Sequence, residues 1–289
     1  MVKLYGAGTL YHGPKSIESL KTITGTRAVI VTGHSSTRET GSLQRVCDML
    51  QEKGWVCDVF SGVEPDPSID TVRKGAAFMQ EKQPDWIIGL GGTSSIDAAK
   101  AMWVLYEHPE LPFETMIKPF AIPALRNKAR FVAIPTTSGT GTETTSLAVI
   151  TDRLKGVKYP IASHELQPDL AIVDGDLCQS MPADVTANTG MDALTHCIEA
   201  YVSNVEDNYA DAFAKGGIQL IFANLKNAVE NPDNLAYRQN MHDASALAGY
   251  AFTNSWLGIV HSMAHALGAV YDTPSAFLTA APMHWLCPM

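Results

Sequence analysis

Apolar and polar positions change places in short blocks along the first half of the chain. RAVIVT (Arg27–Thr32) is an apolar run of strand length, and the polar stretch from Thr37 to Gly54 reads as a helix. WVCDVF (Trp55–Phe60) predicts a second strand, and after the turn-rich EPDP a helix is expected near Ser68–Lys82. DWIIGLGG (Asp85–Gly92) reads as a strand running into a glycine turn, with a helix over Ser94–Tyr106 behind it. FVAIPT and LAIVD (Leu170–Asp174) supply further strands. Strands alternating with helices predict a mostly parallel, doubly wound sheet. Past Pro182 alanine-rich helical patterns run from Asp184 to Ala269, which places a domain boundary near Asp176–Pro182. The expected division is an α/β domain over 1–180 and a helical domain over 181–289, whose last stretch, PSAFLTAAPMHWLCPM, has no clear helical face.

With 289 residues, 46% of them hydrophobic and 18% charged, the chain can bury a core in each of two domains. The net charge of −9 argues against nucleic acid or an anionic membrane as partner. MVKLYGAGTLYHG lacks the apolar core of a signal peptide, and no apolar run approaches bilayer length. Five cysteines, with no CxxC pair among them, fit a cytoplasmic protein with free thiols.

Chemistry concentrates in four places. Gly91, Gly92, Thr93, Ser94 and Asp97 lie where a strand meets a helix, and such a turn lets a phosphate approach backbone N–H groups at the helix start. The same residues would also make an ordinary tight turn with a serine cap. A second loop, PTTSGTGTE (Pro135–Glu143), follows FVAIP and offers Thr136 and Thr137 at the carboxyl end of the sheet. Alone it would pass for a capped loop; two such loops on one sheet favour a nucleotide. In the helical half, Asp192 and His196 are four residues apart, as are His261 and His265, a spacing that stacks side chains on one helix face. A single pair is more simply a cap or a core histidine, whereas two pairs flanked by Ala and Gly suit a divalent ion. Cys197 is turned about 100° from His196 and is expected to be a buried thiol. His12, His34, His108, His164, His242 and His284 lack such pairing and are expected mostly on surfaces or loops, although His34 and Ser35 follow a strand that could reach an adenosine ribose.

Taken in order, GGTSSIDAAK, AIPTTSGTGTE, DGDLCQSMPADVTANTGMDALTHCIEAY and GIVHSMAHALGAVYDTP resemble the signatures of the iron-containing (group III) alcohol dehydrogenases over about residues 2–274. The resemblance implies a Rossmann-like N-terminal domain and an all-α C-terminal domain, in a dehydroquinate synthase-like architecture with a cleft between them. It implies Asp192, His196 and His261 as ligands of Fe²⁺ (or Zn²⁺), His265 near the substrate, and the glycine turn with Asp97, Thr136, Thr137 and Lys158 on NAD or NADP. The expected reaction is reversible oxidation of a primary or small alcohol; the partners are the alcohol and aldehyde, and a homo-oligomer is left open. A polyol dehydrogenase, a lyase related to dehydroquinate synthase, or a remnant that only binds dinucleotide are the rival readings.

Two departures stand out. Many family members carry an Asp that binds the ribose 2′-hydroxyl where VTGHSS here has Gly33, which admits NADP(H). The family's Pro-His-Gly turn, source of a fourth ligand, is replaced by Pro274-Ser275-Ala276. From about Ser275 the sequence is expected to be an out-of-frame translation. A frame shifted from the Ala276 codon permits Ile-Pro-His-Gly-x-Ala-Asn-Ala, with a histidine codon across Leu278–Thr279, and activity is then expected to be impaired.

Overall fold

The computed structural model describes residues 3–271, 273 and 276–279. Strands β1 (Thr9–His12), β2 (Arg27–Val31), β3 (Val56–Phe60), β4 (Trp86–Gly91), β5 (Arg130–Pro135) and β8 (Leu170–Val173) form one sheet in the order β1-β8-β5-β4-β2-β3. Every pairing in it is parallel. Between them run α1 (Ser36–Glu39), α2 (Ser42–Glu52), α3 (Ile69–Lys82), α4 (Thr93–Glu107) and α5 (Phe113–Met116). A separate antiparallel hairpin joins β6 (Leu147–Asp152) to β7 (Val157–Ala162).

The strand pleat sorts the core into two layers. Val29, Val31, Ile87 and Phe131 pack on one side with α3 and α4, while Ala28, Ile30, Ile88 and Val132 face the side of α2. Both faces of β4 are buried, which explains its continuous apolar run. After β3 the chain returns to place β4 on the other side of β2, so β2 and β4 lead to loops that diverge in opposite directions. That is the switch point where open α/β sheets bind ligands, outside the carboxyl ends of their strands.

Helices α6 (Ala183–Tyr201), α7 (Asn208–Glu230) and α8 (Leu235–Ser255) pack on one another through small residues such as Ala193, Ala214, Ala244 and Ala248. α9 (Ile259–Tyr271) follows. The N-terminal segment ties the two halves together: Tyr5 N donates to Asn254 Oδ1 at 2.8 Å, Asn254 Nδ2 donates to Tyr5 O at 2.9 Å, and β1 closes the sheet edge beside β8.

Three expectations are corrected. The helix expected over 37–54 is two helices, because Gly41 takes φ +76 and breaks it. β1 and the β6–β7 hairpin add strands that were not expected. His242 is fully buried on α8 rather than on a surface, with Nδ1 3.0 Å from Ser138 Oγ. Pro274, Ser275, His284 and Cys287 lie outside the described residues.

Candidate active site

The glycine turn is built by strand β4 ending at a point where only glycine is comfortable. Gly91 has φ +140, and a Cβ there would come 2.9 Å from Ser95 Oγ. Gly92 precedes α4 and its space is open toward Thr137, 3.6 Å away. The turn therefore presents a bare backbone and the N-terminus of a 15-residue helix, a cradle that fits a pyrophosphate. The threonine loop after β5 lies against it: Thr136 N donates to Gly91 O at 2.9 Å, and the Thr93 and Thr140 hydroxyls are 2.8 Å apart. Gly33 stands at the same edge, with room for a Cβ that would meet Ser95 Oγ and Val63 O at 3.6 Å. His34 and Ser35 are exposed beside it.

Lys100, one turn beyond Asp97 on α4, shapes this loop from below. Fully buried, it donates to the carbonyls of Thr142, Thr145 and Leu147 at 2.7, 2.9 and 3.0 Å. Burial pulls its pKa down to about 8, against the pull of Asp97 and Glu143. The Asp97 carboxylate accepts from Thr142 Oγ1 at 2.6 Å and from Val149 N at 2.8 Å, so it holds the loop and the hairpin while forming part of the cavity wall. Lys158, buried on β7, is 2.8 Å from Asp66 Oδ2.

Asp192, His196 and His261 converge from α6 and α9. Each is buried, and their ligand atoms lie within 4.8 Å of one another. His196 Nδ1 and His261 Nε2 are buried without a hydrogen-bond partner. Orphaned imidazole nitrogens beside a buried carboxylate are costly unless a cation completes them, so the donor set fits a divalent metal ion. Burial pushes His196 down to about 3, with His261 adding to the effect. For His261 the carboxylates of Asp192 and Glu199 outweigh burial and push it up to about 9. Burial also works against the Asp192 charge, but the two imidazoles hold it at about 2. Phe252 stacks on the His196 ring at 4.7 Å. The hydroxyl of Thr279 donates to Asp192 Oδ1 at 2.5 Å, so a hydroxyl rather than an imidazole occupies this side of the carboxylate.

Glu199 escaped sequence reasoning. It lies seven residues after Asp192, which returns it to the ligand face of α6. Its Oε2 is 2.5 Å from His261 Nδ1, and its Oε1 accepts from Val260 N at 2.7 Å. It thus orients the imidazole and anchors the start of α9, the part that partners of metal-bound histidines generally play. Glu199→Gln is expected to weaken metal binding about 10–100-fold. Competition with a chelator measures it, and unaltered affinity would remove Glu199 from the centre.

A cavity of about 430 Å³ lies between the threonine loop and the helical side of the site. Thr93 and Thr140 touch it from the loop side, and His196, His261 and His265 from the helical side. Phe252, Trp256 and Leu257 give it an apolar wall. His265 is half-buried, its ring 6.2 Å from that of His261. Burial, with His261 adding to it, holds the imidazole of His265 below its ordinary pKa.

The family model of iron-containing alcohol dehydrogenases matches residues 5–175, and that of the family's C-terminal region matches residues 186–283. The chain belongs to the iron-containing alcohol dehydrogenase family. It is 49% identical over 265 residues to an NADPH-dependent butanol dehydrogenase of Clostridium saccharobutylicum, covering 92% of this chain and 68% of that protein. To the 1-propanol dehydrogenase PduQ of Citrobacter freundii it is 42% identical over 271 residues, covering 94% of this chain and 69% of that one. Among solved structures, the sulfoacetaldehyde reductase of Bifidobacterium kashiwanohense in complex with NAD⁺ superposes with a TM-score of 0.89 at 28% identity, over 99% of this chain and 76% of that chain. No helix among the described residues is long and apolar enough to cross a membrane.

Proposed function

We propose that this chain interconverts a small primary alcohol and its aldehyde, with NADP(H) as the preferred dinucleotide and a divalent metal, Fe²⁺ or Zn²⁺, held by Asp192, His196 and His261. One observation carries the reading: a single cavity is lined by Thr93 and Thr140, beside the glycine turn and on the threonine loop, and by His196 and His261 of the Asp/His cluster. The names of the butanol and propanol dehydrogenases, and the NADPH dependence of the first, support the substrate class and the cofactor. When bound, the metal supplies Lewis acidity and the nicotinamide ring hydride chemistry.

The protein's own residues do the rest. Gly91, Gly92 and the first turn of α4 hold the pyrophosphate, and Thr136 and Thr137 contribute from the second loop. His265, kept neutral by burial, takes the alcohol proton during oxidation and returns it during reduction. Phe252, Trp256 and Leu257 exclude water and receive the alkyl chain. The test is the appearance of reduced nicotinamide when the metal-loaded chain is given butan-1-ol and NADP⁺. Absence of turnover with every short primary alcohol would overturn the assignment.

A second reading, dinucleotide binding without turnover, is favoured by the Thr279 hydroxyl on Asp192. A chain that binds NADPH but neither retains metal nor turns over would establish it.

Gly33→Asp is expected to shift preference from NADP(H) toward NAD(H) about 10- to 100-fold, or about 1.4–2.7 kcal/mol, since a carboxylate facing a 2′-phosphate is repelled by it. The open space around Gly33 lets the side chain enter without displacing the backbone. Ratios of kcat/KM for the two coenzymes check it; an unchanged ratio would place the 2′ position elsewhere.

A further inference from the structure

Arg38 lies on the short helix that follows the β2 loop, with an exposed side chain. Its Nη2 donates to Ser61 Oγ at 3.0 Å, across to the residue after β3. The next residue, Gly62, donates its N–H to Gly33 O at 3.1 Å, and a Cβ on Gly62 would lie 3.7 Å from the His34 ring. Arg38 is thereby held beside Gly33 at the switch point of the sheet. Among the described residues it is paired with no carboxylate. Glu64, the nearby acid on the loop after β3, is occupied by Ser68 N and the Thr71 hydroxyl at 2.9 Å. A guanidinium fixed by a neutral partner keeps donors free for an anion, and its fork matches a phosphate better than an ammonium would.

Resting on the proposed dinucleotide reading, we infer that Arg38, positioned by Ser61, is the residue that binds the 2′-phosphate of NADP(H). The loss of a carboxylate at Gly33 only removes repulsion; Arg38 supplies the attraction. Dinucleotide folds discriminate in this way, with an acid reading the ribose 2′-hydroxyl or an arginine accommodating the 2′-phosphate. His34 and Ser35 flank the same spot with further polar groups.

Equilibrium binding to the intact chain tests this without turnover, using adenosine 2′,5′-bisphosphate, adenosine 5′-monophosphate, NADPH and NADH as probes. Arg38→Ala is expected to weaken the bisphosphate and NADPH about 10–100-fold, the range for losing a hydrogen bond to a charged group. Adenosine 5′-monophosphate and NADH should bind as before, which also reports that the variant is folded. Arg38→Lys should recover part of the loss, retaining the charge without the fork. Equal weakening of all four probes, or no weakening of the bisphosphate, overturns the role of Arg38. A parent chain that binds NADH but does not favour the bisphosphate over the monophosphate overturns it too and leaves the dinucleotide reading intact. Failure of the parent to bind either coenzyme would bring down both.

Discussion

Asp192→Ala is expected to leave the purified chain without bound metal and without measurable turnover. The carboxylate is the only anionic member of the proposed ligand set, and water cannot replace it at equal affinity. Residues that merely support a ligand cost about 10–100-fold in affinity when changed, so loss of the ligand itself should exceed about 100-fold. Elemental analysis of metal per chain, with far-ultraviolet circular dichroism to confirm folding, decides it. Unchanged stoichiometry would move the metal elsewhere. Thr279→His is the reciprocal experiment. It exchanges the hydroxyl 2.5 Å from Asp192 for an imidazole, and metal retention under dialysis against chelator should rise. Retention equal to that of the parent would mean that this position does not face the ion.

Gly141→Ala should destabilise the fold more than any single change at the surface. Gly141 has φ +62, and a Cβ there would fall 2.3 Å from Ser245 O and 2.8 Å from Gly249 N. Those atoms belong to the backbone of α8 and cannot swing aside. A left-handed conformation for a residue with a side chain costs ~1–3 kcal/mol, and overpacking a tight contact ~1–3 kcal/mol more. The expected loss of about 2–6 kcal/mol is a large share of a domain's stability. Gly156→Ala supplies the control. Its φ is +63, but nothing lies within 4 Å of the added Cβ, so only the backbone strain is incurred. Urea unfolding of both variants separates the terms. Equal midpoints would show that the loop can retreat from α8 and that the contact is not rigid.

Much of this centre was legible because its residues obey local rules. Asp192 and His196 share a helix face by spacing alone, and Gly91–Gly92 sit where a buried strand must turn. Glu199 was equally visible by spacing, but a carboxylate three residues from a histidine has no meaning until α9 brings His261 to it. β7 was hidden by its composition: Lys158 interrupts the apolar pattern because it turns to Asp66, while the neighbouring Tyr159 packs beside Phe113. Lys100 reads as an exposed helix residue, and only the carbonyls of a loop more than forty residues away explain its burial. Gly41 could have ended the helix expected over 37–54, since glycine in a helical pattern often marks a boundary. Gly41 apart, the common element in the misses is a partner distant in sequence.

The tie between Tyr5 and Asn254 bears on the order in which the molecule assembles. These residues are separated by 249 positions, and β1 cannot pair before β8 exists. On a ribosome β1 emerges before β8 and must stay unpaired while the residues between them are synthesised. Contacts of such sequence separation carry a large closure entropy and tend to form late. Although it precedes its partner in sequence, β1 is therefore expected to be among the last strands to settle, with the open edge of β8 exposed until it does.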